Sequence, residues 1–470
     1  MRLSTPILWV IFPLFISTLA AAFYKRRLVS ILLTSLTCFC LALLAAVFPE
    51  NMILSISPLT LVFEDSLTIL GRQITIAYGI LPFITLIYAM TGLWALSSGI
   101  AGAPQMFRPI SLAITSLLTS ALGVEPFLYA ALLIETAVLV SIPMLSPVSQ
   151  KTHPGILRYL TVQTLALPLI LLAGWLLAGV ETLPADSPLV TQAAIVLGLG
   201  IAVWLSVFPF HSWMPMISER ANPLATSFLF FIMPTTTMVF GLYFLDRYAF
   251  LRDLPELYES LSYVGVTMIV FGGAWTAFQN NLKRAFSFSV LVETGFSILA
   301  VGLSEQGGLT WMLALIPIRA MEFWLWGYLL TLIEKKTGSL EIHAVQGLAR
   351  QYPILSAGLL LVQFSVAGLP LLAVFPIKIA VLTESFKLSS ALGVWCFIGS
   401  LGLILFSIRL LFSLVTPKEG IVPQRWRRSE KLFEYLPALI IILLLIISGF
   451  FPNTFFSDII NILSAFNHLQ

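Results

Sequence analysis

Residues 204–227, WLSVFPFHSWMPMISERANPLATS, place three prolines, a histidine and a Glu-Arg pair inside a chain that otherwise reads as one apolar segment after another. A helix that spans lipid must satisfy its own backbone polar groups, so a proline-broken segment at membrane depth is tolerated only where protein or a watery cavity covers it. The stretch therefore predicts a broken membrane helix. Broken helices are typical of ion and substrate paths.

The composition predicts a membrane protein and excludes a soluble globular domain. Of 470 residues, 59% are hydrophobic and 10% are charged, and the mean hydropathy is +0.98. The three cysteines, Cys38, Cys40 and Cys396, lie in apolar runs without the spacing of a metal or cluster site. We expect no metal, cofactor or catalytic site in this chain, because it also has no glycine-rich phosphate loop and no hydrolase triad. Nothing in it suggests a nucleic-acid partner.

Taking about 20 apolar residues per crossing, the sequence predicts an all-α polytopic membrane protein with about fourteen transmembrane helices. Residues 1–106 hold the N-terminal helices, 107–246 a first half and 247–415 a second half, and 416–470 hold a basic loop and the last helix. Seventeen of the 25 basic residues fall in alternate loops and five on the opposite side, with three inside spans. Because basic loops face the cytoplasm, this distribution places both termini on the outer side of a cytoplasmic membrane.

The N-terminal segment is interpreted as a retained first helix. Its basic cluster, residues 25–27, follows the apolar run, whereas the basic region of a cleaved signal peptide precedes it.

Two spans, the seventh and the twelfth, contain breaks. Pro209, Pro215 and Pro223 interrupt the seventh, and Pro370 and Pro376 interrupt the twelfth. Paired broken segments in two halves of a transporter indicate an inverted repeat with a site near the membrane midplane. Five spans from about residue 107 and five from about residue 258 would form the two repeats. The alternative is that these prolines only mark helix ends.

Ionisable groups inside spans are costly and are functional candidates by default. Lys378 stands two residues after Pro376, where burial disfavours its charged form and a nearby carboxylate favours it. Such a lysine could cycle between charged and neutral states, as a proton relay requires. The alternative is a lysine that extends its ammonium to the membrane interface.

The other candidates divide into acidic and basic groups. Glu135 is either protonatable or a neutral, hydrogen-bonded bystander. Arg319 and Glu322, three residues apart on one helix face, can form an ion pair with a structural or a functional role. His211, between aromatic residues in the first break, either titrates near neutral pH or caps the broken helix. The remaining intramembrane ionisable groups are Glu293 and Arg409.

Three segments carry a family resemblance: FPFHSWMPMISERANP at 208–223, NNLKRAFSFSVLVETG at 280–295 and PILSAGLLLVQFSVAGLPLLAVFPIKIAVL at 353–382. They resemble the antiporter-like membrane subunits shared by respiratory complex I (NADH:quinone oxidoreductase), membrane-bound hydrogenases and Mrp cation/proton antiporters. Lys378 places the chain nearest the complex I subunit next to the quinone module. The resemblance covers most of the chain, from about residue 64 to the last span.

The resemblance implies specific roles and specific departures. Glu135 matches the family's glutamate of helix five, and Lys378 matches its lysine of helix twelve. Trp204 stands where the family has the lysine of helix seven, and Pro234 lies near its lysine of helix eight. Glu293 replaces a histidine of helix ten. The departures therefore concentrate in the first half.

Arg319 lies near the position of a further family histidine. In such proteins lysines and glutamates along the midplane carry protons, energised by a redox reaction in a separate arm. The resemblance thus implies a non-redox subunit whose partners are antiporter-like subunits and a redox arm, with quinone and iron-sulfur clusters only in those partners.

Three hypotheses follow from the sequence. The chain is a subunit that takes part in proton translocation through its second half, or a degenerate scaffold that joins a redox arm to active neighbours, or a cation/proton antiporter subunit. The missing lysines of the first half favour the scaffold, and the charged residues of the second half favour translocation.

Overall fold

The computed structural model describes residues 2–48, 53–56, 59–69, 71–146, 153–177, 188–417, 429–452, 460–466 and 468–469. Side chains at residues 2–3, 53–63, 69 and 255 are outside this description. Four basic residues of the predicted C-terminal loop, all within 418–428, also lie outside the described residues, as does Lys151.

The described residues form seventeen α-helices. The first eight are α1 (Phe12–Ala22), α2 (Arg27–Val47), α3 (Leu81–Ala101), α4 (Phe107–Gly123), α5 (Leu128–Leu145), α6 (Pro154–Leu177), α7 (Pro188–Trp204) and α8 (Trp213–Arg220). The others are α9 (Pro223–Arg247), α10 (Ala249–Arg252), α11 (Pro255–Phe278), α12 (Leu282–Gly302), α13 (Gly308–Thr337), α14 (Pro353–Ala367), α15 (Phe375–Leu388), α16 (Ser390–Val415) and α17 (Leu432–Phe450). A π-helical turn, Ile7–Ile11, precedes α1.

Short strands accompany the helices and are an addition to the all-α prediction. They are β1 (Arg2–Ser4), β2 (Ile53–Ile56), β3 (Leu59–Glu64), β4 (Ser66–Ile69), β5 (Arg72–Thr75) and β6 (Val124–Glu125). One sheet has the order β1-β3-β2, and the other has the order β4-β5-β6. The segment between α2 and α3 has no apolar run of spanning length, so its backbone groups are satisfied by strand pairing instead.

Ten helices of the described residues are long and apolar enough to cross a membrane. Three shorter apolar helices accompany them, at Ile7–Ala22, Pro188–Trp204 and Pro353–Ala367. A polytopic membrane protein is therefore confirmed. The last two of these shorter helices are short because each ends at a predicted break.

Burial separates a central core from a periphery. The most apolar window of α12 is 94% buried and those of α9 and α13 are 89% buried, whereas that of α17 is only 22% buried. Large apolar side chains exposed on the peripheral helices suit contact with lipid, and α17 alone exposes Phe433, Leu439 and Leu443. The ionisable residues on α12 and α13 thus lie in the part of the bundle that is most shielded from its surroundings.

The two breaks have the same backbone design. Helix α7 ends at a left-handed Ser206 (φ 57°), and α14 ends at a left-handed Gly368 (φ 78°). In the first break the Val207 N–H donates to the Ala202 carbonyl at 2.9 Å, and in the second the Leu369 N–H donates to the Phe364 carbonyl at 3.1 Å. These six-residue bonds over a left-handed residue are Schellman motifs, which satisfy the last carbonyls of a helix.

Candidate functional site

A buried ion pair lies at the second break. The ammonium of Lys378 is 2.6 Å from Oε1 of Glu293, and the two residues are 6% and 0% exposed. Lys378 is on the first turn of α15, and Glu293 is in the middle of α12. The ammonium also donates to the Val366 carbonyl and stands 4.5 Å from the centre of the Phe296 ring. The ammonium is thus surrounded by a carboxylate, a carbonyl oxygen and an aromatic face in a buried site.

The turn between α14 and α15 places Lys378. Gly368 has a positive φ, and a Cβ built there would lie 3.2 Å from Cδ of Lys378. The second helix restarts with Pro376 in its first turn, where a missing N–H costs nothing. The break therefore exposes the carbonyl end of α14, including Val366, to the lysine ammonium.

Arg319 provides a second buried cation, and its partner differs from the one predicted. Its guanidinium donates to the Glu293 carbonyl at 2.7 Å and to the Ser297 hydroxyl at 2.6 Å, and it lies 3.9 Å from Oε2 of Glu293. Within the described chain, the ionic partner of Arg319 is thus Glu293, and the predicted pair with Glu322 is not formed. The reason is that the Arg319 side chain reaches across to α12 instead of along its own helix α13.

Glu322 completes the cluster on α13. It is fully buried, and the charges that act on its carboxyl are those of Glu293, Lys378 and Arg319, with the Ser365 hydroxyl facing it. Two carboxyl groups and two cations therefore occupy one buried region between four helices, α12 to α15. A group of this kind can hold a proton at more than one position while its net charge stays near zero.

Among the described residues, the first break carries no comparable cluster. Trp204, at the end of α7, is 2% exposed, and its indole N–H has no hydrogen-bond partner among the described residues. Glu135 on α5 is 8% exposed and accepts a 2.6 Å hydrogen bond from the Thr164 hydroxyl of α6. Pro234 is buried in the middle of α9. Glu135 thus has a neutral hydrogen-bond partner in place of a cation.

His211 and Arg409 lie apart from the cluster. The His211 ring stacks on Phe208 with centroids 5.5 Å apart, and it makes no capping hydrogen bond to α8. Arg409 on α16 donates to the carbonyls of Ala277 and Gln279. It therefore binds the C-terminal end of α11, where carbonyls without helical partners attract a cation.

Sequence reasoning missed one buried pair. Lys283, interpreted from the sequence only as a basic loop residue, is 6% exposed and lies 2.6 Å from Oε1 of Glu334. It also donates to the Ala221 carbonyl just before α9. The NNLKR segment at 280–284 contained no indication of burial, because the partner carboxylate comes from the far end of another helix. In the part of the chain that the structure describes, no cluster of His, Cys, Asp and Glu could hold a metal ion.

The sequence profile described as "NADH:quinone oxidoreductase/Mrp antiporter, TM" matches residues 156–404, which include both breaks and the whole buried cluster. The chain belongs to this family. The antiporter-like resemblance predicted from the three sequence segments is therefore confirmed.

Individual relatives agree with the family. A chloroplastic NAD(P)H-quinone oxidoreductase subunit 5 of Adiantum capillus-veneris is 26% identical over 50% of this chain and 33% of its own length. NADH-quinone oxidoreductase subunit N of Pelagibacter ubique is 28% identical over 38% of each chain. The aligned segment thus spans about a third of the length of these curated relatives.

Solved structures share the fold over nearly the whole chain. A chain of the Mrp complex from Dietzia superposes with a TM-score of 0.81, covering 98% of this chain and 97% of its own, at 15% identity. The superposition shows that the shared fold reaches beyond the residues matched by the profile, to the N-terminal helices and the last helix.

Proposed function

We propose that the chain is a non-redox membrane subunit of a complex I-like or hydrogenase-like respiratory assembly. It contributes to proton translocation coupled to electron transfer in partner subunits. The observation that carries this proposal is the buried Lys378–Glu293 pair at the second break, in a family of quinone oxidoreductase and antiporter proteins. The family names of the relatives support such an assembly.

The chemistry of the pair suits proton transfer. At 2.6 Å the Lys378 ammonium can pass its proton directly to Glu293, which converts a charged pair into a neutral one. A neutral pair costs less to bury than a charged pair, while the attraction at 2.6 Å favours the charged pair, so a change in the nearby field can move the proton. Arg319 stays charged and acts as a fixed positive group, while Glu322 offers the next acceptor. Moving one charge across 100 mV is worth about 2.3 kcal/mol, which a proton pump must supply.

The finer architecture is part of the proposal. We infer about fourteen crossings, with α7–α8 and α14–α15 each forming one broken crossing, and inverted halves at 107–246 and 247–415. The shared Schellman motif of the two breaks supports that symmetry. The cytoplasmic membrane, with both termini outside, is inferred from the distribution of basic residues.

The partners are inferred from the family. They are other antiporter-like subunits and a redox arm that holds the quinone and iron-sulfur clusters, with this chain placed next to the quinone module. Glu135, His211 and Arg409 stay predicted relay residues, and Glu135→Gln and Arg409→Gln test two of these roles.

A scaffold without pumping activity is a second candidate function, and the first half favours it. Trp204 and Pro234 occupy the places where the family resemblance expects lysines, and neither side chain can carry a proton. The related solved structure of an Mrp complex supports a third candidate, a cation/proton antiporter subunit.

The deciding experiment replaces Lys378 by Ala in the assembled complex and measures proton translocation per electron transferred. Lys387→Ala is the matched control, because Lys387 is on the same helix but is 67% exposed at its side chain and pairs with Glu384. We expect Lys378→Ala to abolish the contribution of this subunit and Lys387→Ala to leave it unchanged. Unchanged translocation in both variants would instead establish the scaffold.

A further inference from the structure

A polar cavity of about 480 Å³ lies at one end of the helix bundle, outside the Lys378–Glu293 cluster. Its walls come from the end of α1, the α3–α4 connection, the end of α5, the α8–α9 connection, the start of α12 and the end of α13. Helix ends of this kind lie at the level of lipid headgroups when a bundle spans a bilayer. The cavity is therefore placed to meet the polar part of a membrane lipid.

Positive charge exceeds negative charge around this cavity. Among the described lining residues the only carboxylate is Glu334, and it is already paired with Lys283 at 2.6 Å. Arg220 lines the cavity and forms no ion pair within the described residues. Lys335 is adjacent, with its ammonium 3.8 Å from where a Cβ on Gly102 would lie. Two cations thus remain unbalanced at the opening.

A buried arginine adds a third cation. Arg108 is 1% exposed and donates to the Ser30 hydroxyl at 3.2 Å and to the carbonyl of Tyr24, a lining residue, at 3.5 Å. It has no carboxylate partner among the described residues, and the charge of Arg27 opposes its own. A buried charge is costly unless an opposite charge compensates it, so this arrangement points to an anion.

The backbone reinforces the same preference. Helices α2 and α4 both begin at this end of the bundle, and neither has a side-chain cap on its first N–H groups. Helix N-termini carry partial positive charge and favour anions. Beside them, Leu28 and Leu32 of α2 are 75% and 63% exposed, which offers an apolar surface next to the basic one.

We propose that this cavity, the Arg220 cavity, binds the phosphate group of an anionic phospholipid. The phosphate lies beside Arg220 and the adjacent Lys335, with the charge of Arg108 behind the Tyr24 carbonyl, and the acyl chains lie against the exposed apolar face of α2. The adjoining apolar surface favours a lipid over free inorganic phosphate, because a soluble anion has no use for it.

The test uses the complete chain, purified and exchanged into phosphatidylcholine nanodiscs with increasing phosphatidylglycerol. Native mass spectrometry counts bound lipids, and the midpoint of thermal unfolding reports stabilisation. We expect phosphatidylglycerol to bind in preference to phosphatidylcholine and to raise the midpoint. Arg220→Gln and Lys335→Gln should each weaken binding about fivefold, the loss expected for one basic residue near an anionic headgroup.

Two controls separate the possible sources of the effect. Arg158→Gln removes an exposed basic residue of α6 outside the cavity and should bind phosphatidylglycerol as the unmodified chain does. Equal losses in Arg158→Gln would overturn the proposal, because general surface charge would then explain the binding. So would equal binding of both lipids, or full stabilisation by inorganic phosphate in phosphatidylcholine discs.

Discussion

The two broken helices have the same backbone and different chemistry. In both, a left-handed residue and a six-residue hydrogen bond end the first helix, at Ser206 and at Gly368. The second break faces a lysine paired with a buried carboxylate, whereas the first ends in Trp204, whose buried indole N–H has no partner within the described chain. The broken helix is therefore a property of the fold, because the first break keeps the same backbone without a buried lysine beside it.

One helix connects the two regions. Helix α12 contacts both α8, after the first break, and α15, after the second. Near its start, Arg284 lies 3.8 Å from Glu219 of α8, and in its middle Glu293 pairs with Lys378. The first break thus supports the helix that carries the central carboxylate, although among the described residues it has no buried ion pair like that of Lys378. We therefore propose that the first half serves packing and the second half serves charge movement.

The largest expected effect comes from separating the charged pair of the second break. Glu293→Gln leaves two buried cations, Lys378 and Arg319, with one carboxyl group, and should lower the free energy of unfolding by about 3–5 kcal/mol. Adding Lys378→Met should recover most of that stability, because buried pairs can be replaced by apolar groups. Proton translocation should be lost in both variants. Thermal unfolding in detergent and translocation by the assembled complex measure the two effects.

The exposed ion pair on α15 serves as the control for the Glu293 and Lys378 substitutions. Glu384→Gln with Lys387→Met removes a 2.7 Å pair at the surface, which should change the free energy of unfolding by less than about 1 kcal/mol. If the Glu293 variants behaved like this exposed pair, the second break would be no more specialised than the first.

A smaller loss of stability is expected when Arg409 is replaced. This variant distinguishes a structural role from a role in proton transfer within the second half. Arg409→Gln removes hydrogen bonds to the end of α11 and should lower the free energy of unfolding by about 1–2 kcal/mol. Translocation per electron should persist, because Arg409 lies outside the cluster. Loss of translocation in a folded Arg409→Gln complex would extend the proton path to α16.

Substitutions at the left-handed residues should give effects of opposite sign in the two breaks. Gly368→Ala places a Cβ in a left-handed conformation beside Lys378, and should destabilise the chain by about 1–2 kcal/mol. Ser206→Gly relieves the same strain and should stabilise it by less than about 1 kcal/mol, after the entropy cost of glycine. Thermal unfolding of both variants tests whether the two breaks are equivalent; effects of the same sign would contradict the shared motif.

The sequence predicted the breaks and the members of the cluster because both are local features. Prolines at 209, 215, 370 and 376 interrupt apolar runs, and an ionisable residue in such a run is visible without any fold. Which of these residues pair with each other was not predictable from the sequence. Lys378 and Glu293 are far apart in the chain, and only the packing of α12 against α15 brings them together.

Spacing within a helix was misleading for the same reason. Arg319 and Glu322 have the separation of a helical ion pair, yet the guanidinium binds the carbonyl and carboxylate of Glu293 on the neighbouring helix. From the sequence, Lys283 fits the rule that basic residues collect in cytoplasmic loops. In the structure it is buried against Glu334, which lies near the end of α13. Helix positions were thus readable from composition, whereas contacts between helices required the three-dimensional arrangement.

The smallest expected effect tests the first half itself. Glu135→Gln keeps an acceptor for the Thr164 hydroxyl and should change the free energy of unfolding by less than about 1 kcal/mol. Trp204→Phe removes a buried N–H that has no partner among the described residues, which offsets part of the lost ring volume. If charge moves only through the second half, both variants should translocate protons as the unmodified complex does. If Glu135→Gln lost proton translocation and Trp204→Phe kept it, protons would instead pass through the first half along α5. The first break would then take no part in that path.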